Sequence, residues 1–208
     1  MAWIVSNGYN VLHQAQKSSC GLCCVGMAYS IFHTNDFLSE HYLVGKSGRI
    51  ATGGRNQYHK ATVDRVGVQA THLAVHFPNL GVASVGTYGD HIASLADSLG
   101  LTASYHSGTI MEMKQAMRRV NGSSRLVIAL VSWGHWVLVK SRARRWGRAS
   151  RYTVLDPLGN AVVNSGSTNY DNEIGNTGTF GDNHGTGWWV DITGARPLAS
   201  KSSGVRVM

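Results

Sequence analysis

Between Arg125 and Pro157 the chain carries three apolar, β-rich runs in close succession, "RLVIALVSW", "HWVLVK" and "RYTVLDP", separated only by turn-like or basic residues. β-Branched and aromatic residues suit a pleated, half-buried surface, and runs punctuated in this way predict strands of one antiparallel sheet. The second half of the chain is therefore expected to be mostly strand. From Gly159 to Gly187 the sequence turns to Gly, Asn, Ser and Thr, which predicts long surface loops with one short strand. The apolar "WWVDI" that follows predicts a closing strand.

The first half is helical in period. Cys20, Cys24, Met27, Ala28 and Ile31 fall on one face of a helix from about Cys20 to Phe32, with Ser18 or Ser19 placed to cap its start. Ile92, Leu95, Ala96 and Leu99 have helical spacing after Asp90, and Gly100 stands where a C-terminal cap belongs. A short strand, "LTASYH", comes next. Thr109 and Glu112 then have the spacing of a capping box, and Asn121-Gly122 stops the helix they open. Between residues 41 and 86, "GKSGRIATGGRN" reads as loop and "QYHKATVDRVG" as a short helix, while the tail "ASKSSGVRVM" reads as frayed. The expectation is an α+β fold. With 208 residues, 43% of them hydrophobic, the chain suffices for a single domain over 1–208, with a helical part at about 14–120 and a sheet part at about 124–194.

Charge and composition narrow the function classes. No run of about eighteen apolar residues occurs, and "MAWIVSNGYN" lacks a basic and then apolar leader, so a soluble protein with no membrane partner is expected. Nineteen Lys and Arg against eleven Asp and Glu give a formal charge of +8, part of it concentrated in "KSRARRWGRASR", Lys140 to Arg151. That stretch reads as a solvated hairpin tip between two strands. Only Trp146 is available there for base stacking and no nucleic-acid module surrounds it, so nucleic acid is not the expected partner.

All three cysteines of the chain lie within "CGLCC", residues 20 to 24. Their crowding rules out a framework of disulfides and points to reduced thiols. Cys20 and Cys23 have the CxxC spacing of a zinc site, but structural zinc takes four ligands, and neither a second CxxC nor a closely spaced His pair is present; no metal or other cofactor is expected. Cys23 and Cys24 suit buried packing. Cys20 differs, because a thiol in the first turn of a helix sits beside unpaired backbone N–H groups and the positive end of the helix dipole, which favour thiolate. Such a nucleophile needs a base, a group to orient the base, and donors for an oxyanion. His135 opens one apolar strand and Asp156 ends the next, and adjacent antiparallel strands can bring the two together. A carboxylate on one imidazole nitrogen fixes the tautomer and leaves the other nitrogen for the thiol. Gln14, with five residues between it and Cys20, has a side-chain N–H that can join the Cys20 backbone N–H in an oxyanion hole.

The order Gln14, Cys20, His135, Asp156 resembles that of the papain-like cysteine peptidases, more closely the bacteriocin-processing, double-glycine leader peptidases and related bacterial papain-fold proteases. The resemblance is carried by Gln14, five residues, then "CGLCCVGM", by "GTYGDHIASLADSLGLTASYH", by "GHWVLV" and by "LDPLG". It runs from about Gln14 to Gly159 and is poor between 41 and 86. It implies a papain-like fold and a cysteine endopeptidase with Cys20 as nucleophile, His135 as base and acid, Asp156 orienting His135, and Gln14 in the oxyanion hole. The papain signature Cys-Gly-x-Cys nominates Cys23 instead, but Lys17 then stands where the Gln belongs. The likeness further implies a protein substrate cut after small residues such as Gly-Gly, in a narrow cleft walled by Trp133 and Trp136. It also implies a secreted effector or toxin that works in the cytosol of a target cell and has an immunity or inhibitor protein as partner. The departures are Ser19 where the leader peptidases often have Asp, the absence of the exporter, the Gly/Asn-rich segment after Asp156 and the basic hairpin. The same triad also serves glutamine deamidases, transglutaminases and acyltransferases, and a catalytically silent binding domain is a third reading.

Overall fold

The computed structural model describes residues 3–15, 19–34, 36–47, 51–52, 55–56, 89–132, 135–143, 151–165 and 187–197. Among these the chain forms β1 (Trp3–Ser6), β2 (Tyr9–Leu12), α1 (Cys20–Phe32), α2 (Glu40–Ser47), the two-residue strands β3 (Ala51–Thr52) and β4 (Arg55–Asn56), and α3 (Gly89–Ser98). There follow β5 (Leu101–Ser107), α4 (Ile110–Met117), β6 (Leu126–Ser132), β7 (His135–Ala143), β8 (Arg151–Asp156), β9 (Asn160–Ser165) and β10 (Trp188–Ala195). This is an α+β architecture around one antiparallel sheet in the order β5-β10-β6-β7-β8-β9.

The sheet separates two apolar layers. Strand alternation sends Leu126, Ile128, Leu130, Trp136, Leu138, Leu155, Val190 and Ile192 toward α1, α2 and α3. Val127, Ala129, Val137, Val139, Val154 and Trp189 go to the other face, where Met113, Ala116 and Met117 of α4 cover them. At roughly 25 cal/mol per Å² of apolar surface removed from water, two such layers are the main term favouring the fold.

Helix α1 begins and ends where its periodicity predicted, but it is not one-faced: every residue from Cys20 to Tyr29 is buried. It is the central helix, packed against β7, α2 and α3, and a helix enclosed by neighbours is apolar all round. Its glycines permit that enclosure. A Cβ on Gly21 would stand 2.5 Å from Ile92 Cδ1 and 3.3 Å from Trp136 Cδ1, and one on Gly26 would stand 2.8 Å from Leu43 Cδ1.

Several local expectations are met closely. α4 opens with the Thr109–Glu112 capping box, the Thr109 hydroxyl accepting the Glu112 N–H at 3.2 Å and the Glu112 carboxylate accepting the Thr109 N–H at 2.7 Å. Gly100 follows α3 at φ +88°.

Others are corrected. The boundary between helical and sheet parts fails at β5, which lies within the expected helical part yet pairs with β10 as a strand of the main sheet. The supposed loop from Gly45 begins inside α2 and continues into β3 and β4. Lys140 and Arg142 are not at a hairpin tip but within β7: Lys140 Nζ lies 4.8 Å from the Tyr9 ring centre, and the Arg142 guanidinium donates to the Arg118 carbonyl at 3.0 Å. The helix expected at "QYHKATVDRVG", the tip of the basic hairpin (144–150), most of the Gly/Asn-rich segment (166–186) and the tail from 198 lie outside the described residues.

The β1–β2 hairpin was not anticipated, although Asn7-Gly8 between two alternating runs is its usual signal. Both turn residues have positive φ, +48° and +80°. The Asn7 side chain donates to the Ala161 carbonyl at 2.6 Å and the Ser6 hydroxyl accepts the Ala161 N–H at 3.1 Å. The hairpin thereby covers the outer edge of β9, satisfying backbone groups that an edge strand otherwise exposes.

Candidate active site

The site forms where the N-terminus of α1 meets the start of β7 and the end of β8. Cys20, the first residue of α1, is packed on β7 so that its Sγ accepts the Trp136 backbone N–H at 3.5 Å. One turn further along the same helix face, Cys24 Sγ donates to the Trp136 carbonyl at 3.4 Å. A single strand residue is thus held at both backbone groups by two thiols spaced i, i+4, and this registers the helix against the strand.

His135, one residue earlier on β7, is linked to Asp156 through Nε2···Oδ1 at 2.8 Å. An ionised carboxylate only accepts, so Nε2 carries a proton and Nδ1 is left for the sulfur. The Cys20 thiol is close enough to the ring to affect its proton affinity. Burial works against the imidazolium, while Asp156, through its hydrogen bond and charge, and the neighbouring Cys20 favour it by more, and the His135 pKa is pushed up from 6.5 to about 10. The ring is the outermost member of the trio, with 19% of its side chain exposed against 3% for Asp156; Cys20 is 1% exposed.

Asp156 is also a turn former. Its Oδ1 accepts the Leu158 N–H at 2.8 Å and its carbonyl accepts the Gly159 N–H at 2.9 Å, with Gly159 at φ +99°. The turn therefore fixes the carboxylate that holds His135. Gln14 comes to the same place, its backbone N–H donating to the Pro157 carbonyl at 2.8 Å.

The four residues singled out from the sequence for chemistry, Gln14, Cys20, His135 and Asp156, therefore gather around one helix terminus. Cys23 and Cys24 are fully buried, and burial, reinforced for Cys23 by Glu40 and for Cys24 by Cys20, pushes both thiols far up. None of the three cysteines is joined in a disulfide.

Two expectations change. Ser19 is the residue before α1, but its side chain makes no capping bond; its hydroxyl donates to Glu40 instead. Trp136 is not a cleft wall: it is 2% exposed and its indole lies in the core beside Gly21. Alternation along β7 turns its side chain inward, and only its backbone belongs to the site. Trp133 lies outside the described residues.

Glu40 is the site residue that sequence reasoning missed. It opens α2, is 6% exposed, and accepts the Ala15 N–H on both carboxylate oxygens at 3.0 Å. Ser39 before it, whose hydroxyl accepts the Tyr42 N–H at 3.1 Å, is a legible N-cap signal.

Among the described residues no three His, Cys, Asp or Glu side chains are grouped to hold a metal ion, and no helix is long and apolar enough to cross a membrane. No known family model matches the chain, and no curated protein matches it.

Proposed function

We propose that this protein is a cysteine hydrolase of papain-like fold, acting as an endopeptidase through Cys20, His135 and Asp156. The observation that carries the reading is the meeting of His135, bonded to the Asp156 carboxylate at 2.8 Å, with the N-terminus of α1, where the Cys20 Sγ accepts the N–H of the next strand residue, Trp136, at 3.5 Å. Three residues far apart in sequence meet with the nucleophile at a helix N-terminus, and this is the arrangement the chemistry requires. The motif likeness to papain-like peptidases supports the choice of peptide over other acyl substrates.

In this mechanism the Cys20 sulfur adds to a peptide carbonyl carbon. The resulting oxyanion is met by the Cys20 backbone N–H and the Gln14 side-chain N–H; one such donor contributes about 3 kcal/mol to the transition state. The His135 imidazolium gives its proton to the leaving amine as the C–N bond breaks, leaving a thioester on Cys20. Neutral His135 then takes a proton from water, whose oxygen attacks the thioester carbon and expels the thiolate, releasing the acid product. Asp156 holds the ring in the required tautomer throughout.

The test is to treat bacterial lysate with wild-type protein and with Cys20→Ala, and to compare new N-termini by mass spectrometry. New N-termini confined to wild type support proteolysis. A one-dalton gain on glutamine without new N-termini replaces it with deamidation, and identical lysates refute the enzyme reading. Growth arrest on expression in bacteria, relieved by Cys20→Ala, is the outcome expected of an effector or toxin.

A further inference from the structure

The segment between Gln14 and Cys20 carries both the proposed oxyanion donor and the nucleophile, so their separation depends on what holds its two ends. At the first end, the peptide after Gln14 donates its N–H, that of Ala15, to both oxygens of Glu40 at 3.0 Å, while the N–H of Gln14 itself is held by Pro157. Gln14 is thus pinned by the peptides on either side, which sets its backbone dihedrals and the direction its side chain leaves. At the second end, Ser19, the residue before Cys20, donates its hydroxyl to the same Glu40. The Ser19 carbonyl in turn accepts the Cys23 N–H at 2.9 Å in the first turn of α1.

One buried carboxylate therefore grips both ends of the segment. It is held from outside by α2, whose first residue it is and whose Leu43 packs on Gly26 of α1. The helix N-terminus favours a negative charge there, and charge-assisted hydrogen bonds are stronger and more directional than neutral ones. This goes further than the Ser19 hydroxyl needs for its own satisfaction.

We propose that Glu40 is a positioning residue of the active site, whose carboxylate sets the distance between the Gln14 oxyanion donor and the Cys20 sulfur by clamping Ala15 and Ser19 together. The inference rests on the hydrolase reading above. Its consequence is that Glu40 acts when a tetrahedral oxyanion forms and not when the sulfur reacts without one.

Two probes separate these cases. Iodoacetamide alkylates a thiolate by displacing iodide from a saturated carbon, with no oxyanion. The peptide aldehyde acetyl-Gly-Gly-al accepts the sulfur at its carbonyl carbon, forming a C–S bond as the carbonyl electron pair moves to oxygen, so the adduct needs the oxyanion donors. Glu40→Gln keeps the side-chain volume but puts an amide donor against donors. The expected result is alkylation of Cys20 at the wild-type rate with aldehyde affinity lowered by about tenfold or more, since small displacements of oxyanion donors are costly. Gln14→Ala should lower aldehyde affinity similarly, and the double variant should add little, because the two act as one unit. Unchanged aldehyde affinity in Glu40→Gln overturns the inference. So does parallel loss of alkylation and aldehyde binding with a lowered melting temperature, which makes Glu40 a residue of the fold only. Failure of wild type itself to bind the aldehyde, or to alkylate at Cys20 ahead of Cys23 and Cys24, removes the hydrolase reading and this inference with it.

Discussion

His135 titrates in surroundings that reward its proton, and the pH behaviour of the protein follows from that. Its pKa of about 10 lies above the ordinary 6.5, so the folded chain keeps a proton that the unfolded chain has lost throughout the window between them. The stabilisation is complete below about pH 6.5 and is lost as pH rises toward 10, an amount on the order of a few kcal/mol. Thermal melts at pH 6 and pH 9.5 should show this fall in wild type and a much smaller one in Asp156→Asn. The proposed hydrolase activity should persist through pH 9 and decline as the imidazolium is lost near 10, with the alkaline limb moving to lower pH in Asp156→Asn. A limb at the same pH in both proteins would show that Asp156 does not set the ring's proton affinity.

The three cysteines illustrate how neighbouring residues of one type receive different work. Cys20 and Cys24 share the helix face toward β7 and clasp Trp136, while Cys23 points back toward Ser19, its Sγ 4.0 Å from the hydroxyl. Peptide mapping after brief iodoacetamide treatment should find modification at Cys20, with Cys23 and Cys24 inert until the fold is opened.

Among the elements, α4 was readable because everything that starts it is local. A hydroxyl and a carboxylate three residues apart satisfy each other's backbone donors whatever the rest of the chain does. Thr109→Ala should cost about 1 kcal/mol in chemical denaturation and leave the candidate site unaffected, since α4 covers the opposite sheet face. Equal stability of the variant would mean that packing by Met113 and Met117 holds the helix without its cap. α2 was missed because its pattern is short and its polar first residue faces inward. A glutamate is ordinarily read as solvent-facing, and only the arrival of Ala15 and Ser19 makes burial of Glu40 tolerable. Trp136 fails in the converse way: period two says that neighbours on β7 face opposite sides, but it does not say which side holds the helices.

For the molecule as a whole, the position of β10 matters most. This strand inserts between β5 and β6, bridging the part of the sheet that follows α3 and the part that carries His135 and Asp156. Asp191 on it also takes the Arg125 guanidinium at 3.2 and 2.9 Å. A chain ending before Gly187 would leave both neighbours with open edges and strip Val190 and Ile192 from the core. It should be insoluble or lack a cooperative melt, and a truncated protein that melts like the full chain would show that the sheet closes without β10.

The starts of α1, α3 and α4, the capping box, the strands of the second half and the residue types for a thiol, an imidazole and a carboxylate were legible because each rests on neighbours within a few positions, where spacing and propensity decide. The place of β10, the β1–β2 cover on β9, the inward turn of Trp136 and the Glu40 clamp all required the folded chain. They depend on pairing and burial between segments tens of residues apart, and local periodicity carries no information about which distant partner will satisfy a backbone edge or a buried charge.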